Sequence, residues 1–213
     1  MSKTLHYVFD PLCGWCYGAS GTVAALADRA GMALHPWPSG LFSGEGARPM
    51  DADFAAYAWS NDQRIERLTG QRFTERYRSE VLASPRQQMF DSGPASVALT
   101  AVALAAPERE MEALKAIQQA RYIDGLDITR LDTLAAVLEG LGIDHAAALL
   151  VRPDAGLTDA HRARVAQAQA LLREFGARGV PAFILEAEGL RHLLHSSALF
   201  SNPQAFIEQL AAA

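Results

Sequence analysis

The only two cysteines of this 213-residue chain stand three positions apart, in Cys13-Gly14-Trp15-Cys16. Two intervening residues allow the first turn of a helix to hold both sulfurs within bonding reach, one at the helix end and one tucked behind it. Such a pair serves either a dithiol that cycles to a disulfide or a metal ion. Structural zinc usually takes four ligands, and the chain has no second Cys-x-x-Cys; His192 and His195, on an expected strand, make no convincing half-site. Two cysteines from each copy of a dimer would still make a bridging site, so spacing alone leaves redox and metal chemistry both open.

The composition narrows the setting. Half of the residues are hydrophobic, a fifth are charged and the net charge is −5. These values describe a globular chain with a substantial core, neither disordered nor nucleic-acid-binding. The N-terminal apolar run Leu5–Phe9 is too short for a signal-peptide core and is stopped by Asp10-Pro11, so a cytoplasmic protein is expected. The longest uncharged stretch, Ser92 to Pro107, falls short of the roughly 20 apolar residues a membrane span needs and reads as a buried helix. In a reducing compartment a purely structural disulfide is out of place, which favours redox catalysis or metal binding.

The elements that must position the cysteines follow from periodicity and turn residues. Leu5–Phe9 reads as a buried strand ended by Asp10-Pro11, Trp15–Ala30 as a helix closed at Gly31, and Met32–Trp37 as a second strand, parallel to the first. Gly40–Pro49 reads as a linker into a helical region. There Asp51–Trp59, Asp62–Leu68, Thr74–Leu82, Pro94–Ala106 and Glu108–Tyr122 are expected helices. Thr129 and Asp132 suggest a capping box ahead of a further helix ending at Gly142, and Thr158-Asp159 the start of another that Gly176 closes. Ala182–Leu185, a turn over Glu186–Gly189 and Leu190–His195 read as a β-hairpin, followed by a helix capped by Asn202 with Pro203 at its first position. Strands thus cluster at the two ends of the chain, which implies one sheet interrupted by an insertion.

The run from Phe9 to Gly18 around the two cysteines, together with Gly179-Val180-Pro181, resembles the DsbA-like branch of the thioredoxin superfamily, particularly its FrnE-like cytoplasmic members. The resemblance implies a thioredoxin fold with a large all-helical insertion, residues 1–45 and 160–213 forming the thioredoxin-like domain and 46–159 the insertion. It implies Cys13 as nucleophile, Cys16 as resolving cysteine and Pro181 as a cis-proline facing them. At a helix N-terminus Cys13 would meet the positive end of the helix dipole, which favours thiolate. The thiolate would form a mixed disulfide with substrate, and Cys16 would then displace the reduced product. A cis turn would expose the Val180 backbone to an extended substrate, and its ring would keep metal from the thiols.

Gly14 and Trp15 should tune the couple. The DsbA pattern has Pro-His between its cysteines, and this chain lacks that thiolate-stabilising histidine, so a milder couple working as reductase or isomerase is expected. Asp10 is either a turn residue or a carboxylate that exchanges a proton with Cys16. Arg178 either supplies positive potential or is solvated; Asp91 and Ser92 read most simply as caps. Arginines interleaved with acids from Arg64 to Arg86 read as a solvated face, and Trp37, Tyr57 and Trp59 as core or interface. No bound cofactor is expected beyond glutathione or another thiol as co-substrate, with a disulfide-bearing protein or small molecule as partner, no nucleic acid and no membrane. The sequence sets no oligomeric state. Two rivals share the frame: a glutathione-dependent transferase or isomerase of the kappa-like class, whose relatives lack the paired cysteines, and a non-catalytic chaperone holding peptides beside Pro181.

Overall fold

The structure is a computed structural model describing residues 3–27, 31–84 and 88–212. The expected end of the first helix at Ala30 and the residue Arg86 lie outside the described residues. In chain order the elements are β1 (Lys3–Phe9), α1 (Gly14–Ala27), β2 (Met32–Pro38), β3 (Arg48–Pro49), α2 (Ala52–Thr69), α3 (Glu75–Tyr77) continued by a π turn at Arg78–Leu82, and β4 (Met89–Phe90). They continue with α4 (Gly93–Ala105), α5 (Glu110–Tyr122), α6 (Leu131–Gly140), α7 (Asp144–Val151), α8 (Ala155–Glu174), β5 (Ala182–Ala187), β6 (Leu190–Leu193), α9 (Ser196–Ser201) and α10 (Pro203–Ala212).

Strands from the two ends of the chain form one sheet in the order β2-β1-β5-β6. β1 runs parallel to β2 and antiparallel to β5, with Tyr7 opposite Phe183. Alternation along the central strands divides the core, as a period of two requires. Leu5, Tyr7, Phe9, Phe183 and Leu185 face the large cluster shared with α1, α10 and the helical block, while Val8, Ala182 and Ile184 face Ala168 and Leu171 of α8. Tyr7 stacks on Phe183 at 5.1 Å between ring centres, and Phe206 of α10 meets Phe183 edge-on at 5.1 Å.

Several local expectations change in the structure. The two helices expected at Asp51–Trp59 and Asp62–Leu68 are one, α2, because no glycine or proline interrupts Ser60-Asn61; Asp51 caps it by accepting from Phe54 N at 2.8 Å, and Gly70 ends it at φ +75°. The capping box at Thr129 and Asp132 does not form. Asp127 captures both the amide and the hydroxyl of Thr129, Asp132 pairs with Arg130, and α6 starts at Leu131. α8 starts at Ala155 under an Asp154 cap rather than at Thr158-Asp159. Helices α7 and α9, and the pairing of β3 with β4, arise in stretches with no expected element or only a linker. The hairpin turn is two residues, Glu188 and Gly189, both at positive φ, so β5 runs on through Ala187. Tyr57, expected in the core or an interface, is 67 % exposed. The Asn202 cap on α10 is present, accepting from Ala205 N at 3.1 Å.

One charged tie holds the helical block to the sheet. Arg164 of α8 donates to Glu110 of α5 at 2.5 Å and to the Pro36 carbonyl of β2 at 2.8 Å, with most of both side chains buried. Removing one partner of a buried pair leaves the other uncompensated, so Arg164→Met should lower the unfolding free energy by about 3–5 kcal/mol in denaturant titration. A change within a few tenths would show the tie to be energetically idle.

Candidate active site

The loop between β1 and α1 is fixed by a carboxylate. Asp10 is fully buried; its Oδ1 accepts from Leu12 N at 2.9 Å, and its Oδ2 from Ser92 Oγ at 2.7 Å and Phe42 N at 3.2 Å. Burial pushes its carboxyl up, and these donors pull against that rise. The backbone carbonyl of Asp10 accepts from Cys13 N at 3.1 Å, and Tyr122 Oη donates to the Leu12 carbonyl at 2.8 Å. The Leu12 contact is the turn expected of Asp10. Ser92 is no side-chain cap: its hydroxyl serves Asp10, and Asp91 takes the capping role by accepting from Gly93 N at 2.8 Å.

The two thiols are unbonded and unequal. Cys13 keeps 7 % of its surface accessible, and its Sγ approaches the Val180 carbonyl at 3.7 Å; Cys16 is sealed at 0 %. The Val180–Pro181 peptide is cis. The Cys16 thiol is pushed well up, first by burial, then by hydrogen bonding to Cys13 and by the Cys13 charge; the Asp10 backbone hydrogen bond pulls against that rise and the Asp10 charge adds a smaller push. Behind it, Tyr7 Oη reaches the Cys16 carbonyl at 3.4 Å.

Trp15 is half-buried, edge-on to Phe200 at 4.9 Å and with the Arg64 guanidinium 5.8 Å from its ring centre. It walls a groove of about 530 Å³ whose other sides are the Gly176–Ala182 loop and the segment from Leu193 to Phe200; Arg178 stands exposed in that loop. Gly14 faces α2 instead: a methyl group there would collide with Asp62 and crowd Ile65, and one at Gly18 would lie 2.5 Å from Ile65 Cγ2. The glycine of the motif is therefore required by helix contact. Among the described residues no group of three or more His, Cys, Asp or Glu is placed to hold a metal.

Site residues that carried no recognisable signal in the sequence are Tyr122, Tyr7 and Asp62, each brought toward the cysteines from a separate element, and Ser92, read as a cap, serves Asp10 instead.

A sheet of mixed strands, a thiol with 7 % of its surface open backed by a sealed one and a cis X-Pro loop against the first define a thioredoxin-like fold with a helical insertion. The DSBA-like thioredoxin domain model matches residues 4–206, and the chain belongs to that family. It is similar to the cytosolic disulfide reductase DsbM from Pseudomonas aeruginosa, at 31% identity over 99% of this chain and 100% of that one, with a TM-score of 0.86. The structure of that reductase with GSH matches at 30% identity over 98% of each chain and a TM-score of 0.84. A protein disulfide isomerase candidate from Nitrosomonas europaea shares the fold at 24% identity, over 100% of this chain and 97% of that one, with a TM-score of 0.80. No curated protein sequence matches.

A hydrogen bond to a charged group contributes about 1.5–3 kcal/mol, so Ser92→Ala should destabilise the fold by that amount at neutral pH. The Asp10 carboxyl is raised in the folded state, so folding takes up a proton there and its contribution falls as pH rises through that titration. Because the Ser92 hydrogen bond opposes the rise, the penalty for removing it should shrink in acid, where Asp10 is protonated. Chemical denaturation at two pH values checks this; an equal penalty at both would remove Asp10 as the partner that matters.

Proposed function

We propose that the chain is a thiol–disulfide oxidoreductase acting as a reductase or isomerase, with Cys13 as nucleophile and Cys16 as resolving thiol. The unequal burial of the two sulfurs carries this reading, since the accessible one sits beneath the Val180 carbonyl and beside the cis peptide. Cys13 thiolate attacks one sulfur of a substrate disulfide, the S–S bond breaks, and the first thiolate leaves and takes a proton. Cys16 then loses its proton and attacks the Cys13 sulfur, releasing the second thiol and closing Cys13 to Cys16.

The groove beside Trp15 is where substrate binds, with the Val180 backbone available to an extended chain and Pro181 shaping its floor. Gly14 and Trp15 tune the couple, Gly14 by allowing α2 close to the first turn of α1 and Trp15 by walling the groove beside the cis peptide. Asp10 tunes it by fixing the loop before Cys13. Glutathione is the thiol that regenerates the dithiol, supported by the DsbM structure with GSH and by Arg64 and Arg178 near Trp15, whose charges suit its carboxylates. A cytoplasmic place of work is supported by DsbM, a cytosolic protein by name, and among the described residues no helix is long and apolar enough to cross a membrane.

Cys13→Ser should abolish reduction of a model disulfide, and Cys16→Ser should accumulate a mixed disulfide with substrate. Turnover that survives Cys13→Ser would sink the assignment. A histidine beside the nucleophile stabilises thiolate and with it the reduced form. Trp15→His should therefore make the couple more oxidising in a glutathione redox buffer; an unchanged or more reducing midpoint would place the tuning elsewhere.

A further inference from the structure

Asp62 belongs to α2, in the helical block, yet only 4 % of its surface is accessible. Its Oδ2 accepts from Tyr77 Oη at 3.0 Å, and its Oδ1 lies against Gly14. A carboxyl from the insertion is thus seated on the first turn of α1, against Gly14, the residue that follows Cys13, at the positive end of that helix. Beside it lies Arg121 of α5, 1 % accessible, its guanidinium carbon 5.3 Å from the ring centre of Tyr77 and 5.7 Å from that of Tyr122. Arg121 Nε and Nη2 have no hydrogen-bond partner among the described residues. Tyr122 joins this cation to the redox loop, since its hydroxyl holds the Leu12 carbonyl.

A buried guanidinium keeps its proton and calls for a counter-charge. The Asp62 carboxylate lies beside it, and Tyr122 is flanked both by that carboxyl and by Cys13, which as a thiolate is a second anion on the same helix turn. Both ionised together would set like charges against one helix turn, and each would disfavour the other. We propose that Asp62 exchanges a proton with the redox pair, neutral while Cys13 is a thiolate and ionised while Cys13 is held in the disulfide. Asp62 acts as a positioning residue: it touches Gly14 and works on Cys13 by charge. Burial pushes its carboxyl up to about 7, against the pull of Tyr77 and Arg121, so both states are within reach near neutrality.

The assignment rests on the redox reading of Cys13 and Cys16, and it balances. Two thiols reduce the Cys13–Cys16 disulfide, forming their own disulfide and delivering two electrons and two protons; one proton goes to Cys16 and the other to Asp62, leaving Cys13 as thiolate. When a substrate disulfide reoxidises the pair, both protons leave on the two product thiols. The ionisable groups around the carboxyl are Tyr77 of α3 and Arg121 of α5, with Tyr122 of α5 lying between it and Cys13 at the head of α1. Arg64 on α2 itself stacks on Trp15, Arg78 on the π turn is engaged by Trp59 and Glu75, and α9 carries no ionisable side chain.

The test uses Cys16→Ser protein, in which Cys13 is the only thiol, and follows its alkylation by iodoacetamide against pH. The parent should titrate in two steps, as coupled groups do. Adding Asp62→Asn should leave one step, with half-maximal rate about one pH unit lower. Tyr77→Phe, which removes a hydrogen bond favouring the carboxylate, should move the Asp62 step to higher pH. A profile unchanged by Asp62→Asn overturns the proposal; if circular dichroism shows that variant unfolded, an unmoved step in Tyr77→Phe overturns it. A wild-type chain that reduces no disulfide but keeps the two-step profile in the test removes the redox reading and supports the charge coupling. Full turnover with a one-step parent profile removes the coupling alone.

Discussion

A buried carboxylate is tolerated only where donors replace the water it has lost, and the placement of Asp10 makes that condition a constraint on the whole molecule. Its donors are the amides of Leu12 and Phe42 and the hydroxyl of Ser92, from the loop before α1, the segment after β2 and the entry to α4. These segments are distant in sequence and cannot be placed independently while Asp10 is satisfied. The cysteine pair begins where that network ends, since Cys13 N rests on the Asp10 carbonyl. The helical block therefore completes the redox loop as well as covering it.

The same block reaches the cysteines through helix contact. α2 comes close to α1 because Gly14 and Gly18 carry no side chains on the facing surface, and Ile65 occupies the space. Further along, Tyr17 of α1 stacks on Tyr122 at 4.6 Å, and Phe73 and Tyr77 meet Tyr122 edge-on at 5.0 and 5.1 Å. Gly14 thus has two duties that the spacing of the cysteines alone did not separate. It lets Ile65 of α2 pack against the first turn of α1, and it admits the carboxyl of Asp62 to the helix end.

What was legible in the sequence is what local chemistry decides. The strands carrying Tyr7 and Phe183 are runs rich in apolar, aromatic and β-branched residues bounded by turn residues, and α4 is an alanine-rich run apolar on nearly every face. The cysteine pair and Val180-Pro181 are distinctive by residue type and position. Less legible were boundaries that depend on competition between polar side chains. Asp127 outbids Asp132 for Thr129, and Asp154 caps α8 ahead of Thr158. Least legible were residues whose role is set entirely by tertiary contact. Asp62 stood in the sequence only as the start of an expected short helix, and nothing local distinguishes Ser92 from an ordinary cap.

The two thiols follow the same division between local type and surroundings. Both are cysteines on one helix turn, but Cys16 is held protonated first by burial and then by its hydrogen bond to Cys13 and the charge there. A thiol is a poor nucleophile, so in the resting dithiol Cys16 stays quiet. In the proposed reaction, once Cys13 is tied to a substrate sulfur, that sulfur carries no charge, and two of the causes that raise Cys16 are weakened together. Burial remains, so the thiol is still protected from other oxidants, yet it ionises more readily at the step that requires it to attack. The proposed order of the two chemical events therefore follows from which sulfur is sealed, and the sealing follows from helices packed on α1 from outside the sheet.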